Sequence, residues 1–297
     1  MRKYILFLFL LILNSSVYGS EVPKYEEYIV RADVHFDQAS GIYSYEYILI
    51  NPSSNKNLLW NLSIYVSKDL NSRELSWENL TYGKWYSRHS SEAKKDKVVP
   101  IGMDGPQGWT YGIGEDENGK GFASFGSLED YEIRSGNSIR GLVLTSYGLP
   151  IIRAAMLLPG IDYDNLPEEY YGNVELTKQL QDSLTYHTKT IGPTAPPAEL
   201  KPLEFLDHII SMKHEAYSLG WIKSRGIEQS LDAKLNAARR KLSQGNTNAA
   251  KDILNAFVNE VEAQGCESYE NCPEGKHLTS EAYALLKYNA LYLIERL

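Results

Sequence analysis

Cysteine is nearly absent from this chain: 297 residues hold two, Cys266 and Cys272. Two thiolates cannot complete the four-ligand shell of a structural zinc site, even with His277 as a third ligand. A basic excess is also missing. Thirty Lys and Arg face 38 Asp and Glu, a net charge of −8, which argues against a nucleic-acid partner. Long apolar runs are confined to Ile5 to Leu13, too short to span a bilayer, so no integral membrane anchor is expected. Catalytic signatures are missing as well. His214-Glu215 opens like a zinc-protease helix motif, but Ser218 stands where the second histidine belongs. Ser124 sits in Phe122-Ala123-Ser124-Phe125-Gly126, without the first glycine of a nucleophile elbow. No phosphate-binding glycine loop occurs, and neither a cofactor nor a metal is expected.

At the start, Met1, Arg2 and Lys3 precede the apolar run, and Val17 and Gly19 suit a cleavage site. Residues 1–19 therefore read as a secretory signal peptide. Its removal leaves 28 basic residues against 38 acidic ones and a net charge of −10. On an exported chain the closely spaced cysteines favour a disulfide, Cys266 to Cys272.

From 22 to 159 the apolar pattern has period two. Tyr43, Tyr45, Tyr47 and Leu49 alternate with Ser44, Glu46 and Ile48, and Trp60, Leu62, Ile64 and Val66 with Asn61, Ser63 and Tyr65. The intervening turn, Asn51-Pro52-Ser53-Ser54, suggests that these two strands form a hairpin. Further strands flank Asn118-Gly119 and Ser135-Gly136-Asn137, ending with Ile151 to Leu158. This predicts an antiparallel immunoglobulin-like β-sandwich. Residues 160–201, acidic at one end and Pro-rich at the other, read as a linker. The segment 202–297 reads as a small helical bundle able to fold by itself. Ile227, Leu231, Leu235, Ala238 and Leu242 make one apolar face, Gly245 turns the chain, and Ala250, Ile253, Leu254, Phe257, Val258 and Val261 make the next. Thr279 caps the last helix, with Leu278 and Tyr283 as a hydrophobic staple.

Gly220-Trp221-Ile222, Ser230 to Leu235, Asn255 to Val261 and Ser280 to Leu286 resemble a helical module at the C-termini of secreted bacterial proteins, similar to the FIMAH and FIVAR modules. Gly136 to Ser146 and Gly148-Leu149-Pro150 resemble sandwich domains of the same exported proteins. The resemblance implies export and modular architecture, and brings no catalytic residues.

Tyrosine is abundant at 22 residues, with 5 Trp. Trp77, Tyr82, Trp85 and Tyr86 cluster in a polar stretch, and rings on a loop can stack on sugars or anchor a protein partner; they are the candidate ligand-binding residues. Asp33, His35 and Asp37 share one strand face, but ligands at strand spacing splay apart, so a solvated face is expected rather than a metal site. Glu115-Asp116-Glu117-Asn118 lacks the spacing of a calcium loop and reads as a hairpin tip. Asn289, at core spacing between Leu286 and Leu293, reads as a registry device or a partly exposed residue. The expected function is noncatalytic binding or scaffolding at the cell envelope or outside the cell, with a glycan or a cell-surface protein as partner. The alternative is a carbohydrate-active hydrolase using Asp and Glu carboxylates.

Overall fold

Alternation of large apolar side chains with small polar ones builds the N-terminal part of the chain. The computed structural model describes residues 22–67, 102–115 and 121–297. Among these, nine strands form two antiparallel sheets. The first contains β1 (Ile29–Asp37), β2 (Ile42–Ile50), β4 (Gly102–Asp104) and β7 (Ser138–Ser146), in the order β1-β2-β7-β4. The second contains β3 (Leu59–Ser67), β5 (Trp109–Glu115), β6 (Gly121–Ser127), β8 (Leu149–Pro159) and β9 (Tyr186–Thr194), in the order β5-β6-β3-β8-β9. Tyr45, Tyr47 and Leu49 are fully buried on one face of β2, as their spacing predicts. Tyr47 meets Phe125 of the opposite sheet, ring centroids 6.2 Å apart, and its hydroxyl donates to Ile191 O at 3.0 Å. The buried faces of the two sheets therefore share one core.

The expected hairpin between β2 and β3 does not form, because these strands lie in different sheets. Residues 51–58 form an arch between the sheets that contains a tight turn, with the Asn55 N–H donating to Pro52 O at 3.0 Å. Asn51 is buried within it, and its Nδ2 donates to Asn57 O at 2.9 Å and to Ile133 O at 2.8 Å, the latter a carbonyl that also accepts from Leu59 N–H. The turn at Gly136 is present, with φ of +78°, a conformation that glycine adopts without steric cost. Strands β5 and β6 pair from Trp109↔Ser127 to Glu115↔Gly121; the Asn118-Gly119 tip between them lies outside the described residues.

Residues 160–201, read as a linker, contain helix α1 (Val174–Leu184) and strand β9. All nine residues of β9 pair with β8, from Tyr186↔Leu157 to Thr194↔Leu149. Of the residues that suggested a linker, Pro193 lies in β9, and an edge strand tolerates it because one row of backbone groups needs no ladder partner. The boundary read at 159 thus cuts through a sheet.

Four helices follow: α2 (Pro202–Ser218), α3 (Arg225–Ser243), α4 (Thr247–Gln264) and α5 (Ser280–Arg296). Their ends follow the capping signals. The Ser224, Asn246 and Thr279 side chains accept from Ile227, Ala249 and Ala282 N–H groups, and Gly245 takes φ of +72° past α3. An ion-pair cluster stitches α2 to α3. Lys213 has a fully buried side chain, and its ammonium pairs with Glu228 and, at 2.8 Å, with Asp232.

Helix α5 is buried on nearly every side, from Ser280 through Leu286 and again from Tyr288 through Ala290, which marks a central helix. Its first turn lies along the open edge of β1. Ala32 N–H donates to Glu281 Oε1 at 3.1 Å, and the Ser280 hydroxyl donates to Ala32 O at 3.0 Å. Two turns on, the Tyr288 hydroxyl donates to Val34 O at 3.1 Å, and Asn289 Nδ2 donates to Pro150 O at 2.8 Å. Asn289 is thus a registry device, set against the sheet. The expectation that 202–297 folds by itself conflicts with this packing, since α5 meets sheet backbone with the polar groups it buries.

The disulfide Cys266–Cys272 is present. It closes a loop whose Ser268 hydroxyl and Tyr269 N–H donate to Asp33 at 2.9 and 2.8 Å. Asp33 is therefore a buried docking residue, and the expectation of a solvated face fails for it because this loop covers that part of β1; His35 and Asp37 remain exposed.

Two measurements test this packing. Burial raises the Glu281 pKa, and the Thr279 hydroxyl, Arg31 and the Ala32 N–H offset this only in part. The folded chain therefore keeps this proton over a pH interval above the ordinary carboxylate value, where the unfolded chain releases it. That contribution to stability is complete below the unfolded pKa and is lost as pH rises through the folded value. Glu281→Gln removes the titration, so its melting temperature relative to the native chain should rise between pH 4 and pH 7, by about 2–4 °C per kcal/mol. A difference independent of pH would refute this origin. Separately, Lys213→Met should lower stability by about 2–3 kcal/mol in denaturant melts, below the full cost of orphaning a buried pair because the carboxylates are partly exposed. A loss under about 0.5 kcal/mol, as for a surface pair, would show that the cluster does not hold the helices.

Candidate ligand-binding site

Trp77, Tyr82, Trp85 and Tyr86 lie outside the described residues. Within them, aromatic side chains converge where the sheets meet the end of α5. The β1–β2 hairpin contributes Phe36, Gln38 and Tyr43, the β7–β8 turn contributes Tyr147, and α5 contributes Tyr288, Tyr292, Glu295 and Arg296. They line a cavity of about 420 Å³, in the range of small-molecule sites.

Each wall has a local cause. Strand alternation sends Tyr43 to the same side as Tyr45 and Tyr47. Its ring stacks on Phe36 with centroids 4.4 Å apart and takes the edge of Tyr288 at 5.5 Å. The β1–β2 turn is braced by Asp37, whose carboxylate accepts from Ala39 N–H at 3.0 Å and the Ser40 hydroxyl at 2.5 Å. Tyr147 occupies the two-residue crossing from β7 to β8. Its neighbour Gly148 is required there, because a Cβ would lie 2.8 Å from both Pro193 Cβ and Thr194 O. On α5, Tyr288 and Tyr292 are one turn apart and share a face. Arg296 covers Tyr292, its guanidinium carbon 3.6 Å from the ring centroid, while its Nη1 donates to Tyr292 O and pairs with Glu295 at 3.3 Å.

The tyrosine hydroxyls here differ in one respect. Those of Tyr45, Tyr47 and Tyr288 donate to Gly148 O, Ile191 O and Val34 O. That of Tyr43 donates to none of the described residues, and it is not among the buried polar atoms that lack a partner, so it stays open to solvent. Burial raises its pKa, and Tyr288, Glu295, Arg296 and Tyr292 contribute electrostatically. Burial likewise pushes Tyr288 up to about 12; both phenols stay protonated donors at neutral pH.

A second cavity of about 380 Å³ shares Leu149 with the first and contains Glu199, Glu204, Phe205 and His208. The 194–197 segment borders both, with Pro196 on one side and Thr194, Ala195 and Pro197 on the other. Elsewhere, His214, Glu228 and Asp232 bring possible metal ligand atoms within 4.8 Å of one another. The Lys213 ammonium already pairs with both carboxylates, which accounts for the cluster as ion pairs.

Sequence reading missed the cavity. The Tyr288, Tyr292 and Arg296 spacing is a visible helical face, but nothing in the chain links it to Phe36 or Tyr147. Among the described residues no helix is long and apolar enough to cross a membrane.

Comparison with known proteins gives two results. No curated protein matches the chain. Residues 218–295 match the FIMAH domain, which supports the resemblance over α3, α4, the disulfide loop and nearly all of α5. The cavity is therefore mixed in origin: Tyr288, Tyr292 and Glu295 belong to the FIMAH segment, and Phe36, Tyr43 and Tyr147 to the sheets that precede it.

Proposed function

We propose that the protein is a noncatalytic binding protein of the cell envelope or extracellular space. In this reading the sheets are an immunoglobulin-like sandwich, and the FIMAH segment and the sandwich act as one binding unit. The observation that carries it is the aromatic cavity, whose walls come from both parts of the chain. An aromatic-lined concavity with few polar groups suits ligand capture. The disulfide agrees with an oxidising compartment.

The hydrolase alternative needs a carboxylic acid kept protonated beside a second carboxylate. The aromatic cavity contributes one carboxylate, Glu295. In the second cavity Glu199 and Glu204 are both exposed, and Glu204 pairs with Lys201 at 3.2 Å. Neither environment favours a buried proton donor, which supports binding over hydrolysis.

Sedimentation of the full chain with isolated cell envelopes of the producing organism tests this reading. The native chain should be retained, Tyr147→Ala should weaken retention by about tenfold, and no new reducing sugar ends should appear. Reducing ends whose release is abolished by Glu199→Gln or Glu204→Gln would replace binding with hydrolysis. Retention that Tyr147→Ala leaves unchanged would remove the site from the function.

A further inference from the structure

Away from the aromatic cavity, the loop closed by Cys266 and Cys272 is held to the sheets by three consecutive residues. The Ser268 hydroxyl donates to Asp33 Oδ2 at 2.9 Å, the Tyr269 N–H donates to Asp33 Oδ1 at 2.8 Å, and Glu270 pairs with Arg140, which also pairs with Glu46 at 3.2 Å. The loop therefore reaches β1 directly, and β7 and β2 through Arg140 and Glu46. The contacts differ in weight. Arg140 and Glu270 are both half exposed, and a surface pair of that kind contributes little. Asp33 is 1% exposed, and among the described residues the two loop groups make the only hydrogen bonds to its carboxylate. A buried carboxylate depends on such donors.

Little else gives the loop its shape. Its ends are fixed, since Cys266 N–H donates to Leu278 O at 3.2 Å and His277 N–H donates to Gln264 O at 2.9 Å. Between them, residues 267–276 make no backbone-to-backbone hydrogen bond among the described residues. The covalent bond from Cys266 to Cys272 limits the conformations open to this stretch, and the chain regains that freedom once the bond opens. Helix α5 does not share the dependence, because it docks through Ser280, Glu281 and Tyr288, all outside the disulfide ring. The two sulfurs also differ in access. Cys266 is 2% exposed and Cys272 is half-buried, so an incoming thiolate meets Cys272 first.

We infer that the disulfide is a redox-sensitive clasp. Closed, it presents Ser268 and Tyr269 to Asp33; opened by a dithiol reductant, it releases the loop and exposes Asp33 while α5 stays docked. In the opening step a thiolate of the reductant attacks Cys272 Sγ, the S–S bond breaks, and Cys266 leaves as a thiolate that takes up a proton. The reductant's second thiolate then attacks the mixed disulfide, so Cys272 also ends as a thiol and the dithiol ends as its own disulfide. Docking and oxidation are linked: the Asp33 contacts favour the closed loop, and so favour the oxidised cysteines by the same factor.

Carboxyl footprinting of the full chain with a carbodiimide and glycine ethyl ester, before and after dithiothreitol, reads Asp33 and Glu281 separately. Reduction should raise the labelling of Asp33 by about tenfold and leave Glu281 protected beneath the first turn of α5. In dithiothreitol redox buffers, Asp33→Ala should lower the ratio of reduced to oxidised dithiothreitol needed to open half the disulfide by about fivefold or more. Ser268→Ala, which leaves the strand untouched and removes one donor, should lower it by about two- to threefold, and carries this arm alone if Asp33→Ala does not fold. Asp33 that stays protected after full reduction overturns the inference, because the loop then keeps its place without the bond. Labelling of Glu281 in step with Asp33 also overturns it, because the disulfide then braces the whole docked face. An unchanged midpoint in the variants removes the linkage, and the clasp with it.

Discussion

The contact between the first turn of α5 and the open edge of β1 organises this molecule. An edge strand presents a row of unpaired N–H and C=O groups, which either template further strands or must be covered. Here Glu281 accepts from the Ala32 N–H, Ser280 donates to the Ala32 carbonyl, and Tyr288 donates to the Val34 carbonyl. The groups that would extend the sheet are met by side chains of a helix 248 to 254 residues away in sequence. That arrangement takes a carboxylate out of water. Burial holds the Glu281 pKa above the ordinary carboxylate range, and the Thr279 hydroxyl, Arg31 and the backbone N–H groups of Glu281 and Ala32 offset that only in part.

Once α5 is fixed at its N-terminus, its remaining length is committed. Asn289 bonds Pro150 O while also donating to Leu285 O at 2.8 Å, which sets the helix rotation against β8. The same rotation carries Tyr288 and Tyr292 to the end of the sheets, where Phe36, Tyr43 and Tyr147 wait. The disulfide loop adds a second fixed point through Asp33, and Arg31 lies over Tyr269 at 5.7 Å. The aromatic cavity is therefore a consequence of docking: it exists because a helix bound at one end must end beside the β1–β2 hairpin and the β7–β8 crossing at the other.

This geometry also bears on modularity. The FIMAH match covers 218–295, a sequence unit, yet its last helix completes a strand edge that belongs to the N-terminal part. A unit that recurs in sequence can still be half of a core. The polar residues of α5 that touch the sheet are those an isolated bundle would leave on its surface or bury without partners.

The sequence by itself determined local structure. Period-two runs such as Tyr43 to Leu49, helical faces such as Ile227 to Leu242, the Thr279 cap, the Gly136 and Gly245 turns and the paired cysteines were all legible, because each depends on backbone preference or on neighbours a few residues away. What it left undecided depended on distant partners. The acidic and Pro-rich ends of 160–201 suggested a linker until β9 within it paired with β8, and Asn51 suggested a hairpin turn until its side chain was placed in an arch between sheets. Asp33 suggested a solvated strand face until the disulfide loop was placed over it. The candidate site was the least legible feature of all. Its rings come from residues 36, 43, 147, 288 and 292, each explicable alone as strand, turn or helix packing, and only the docking of α5 onto β1 gives them a common space. Tertiary structure decided the site because a concavity is a relation between surfaces, and no single segment of chain contains one.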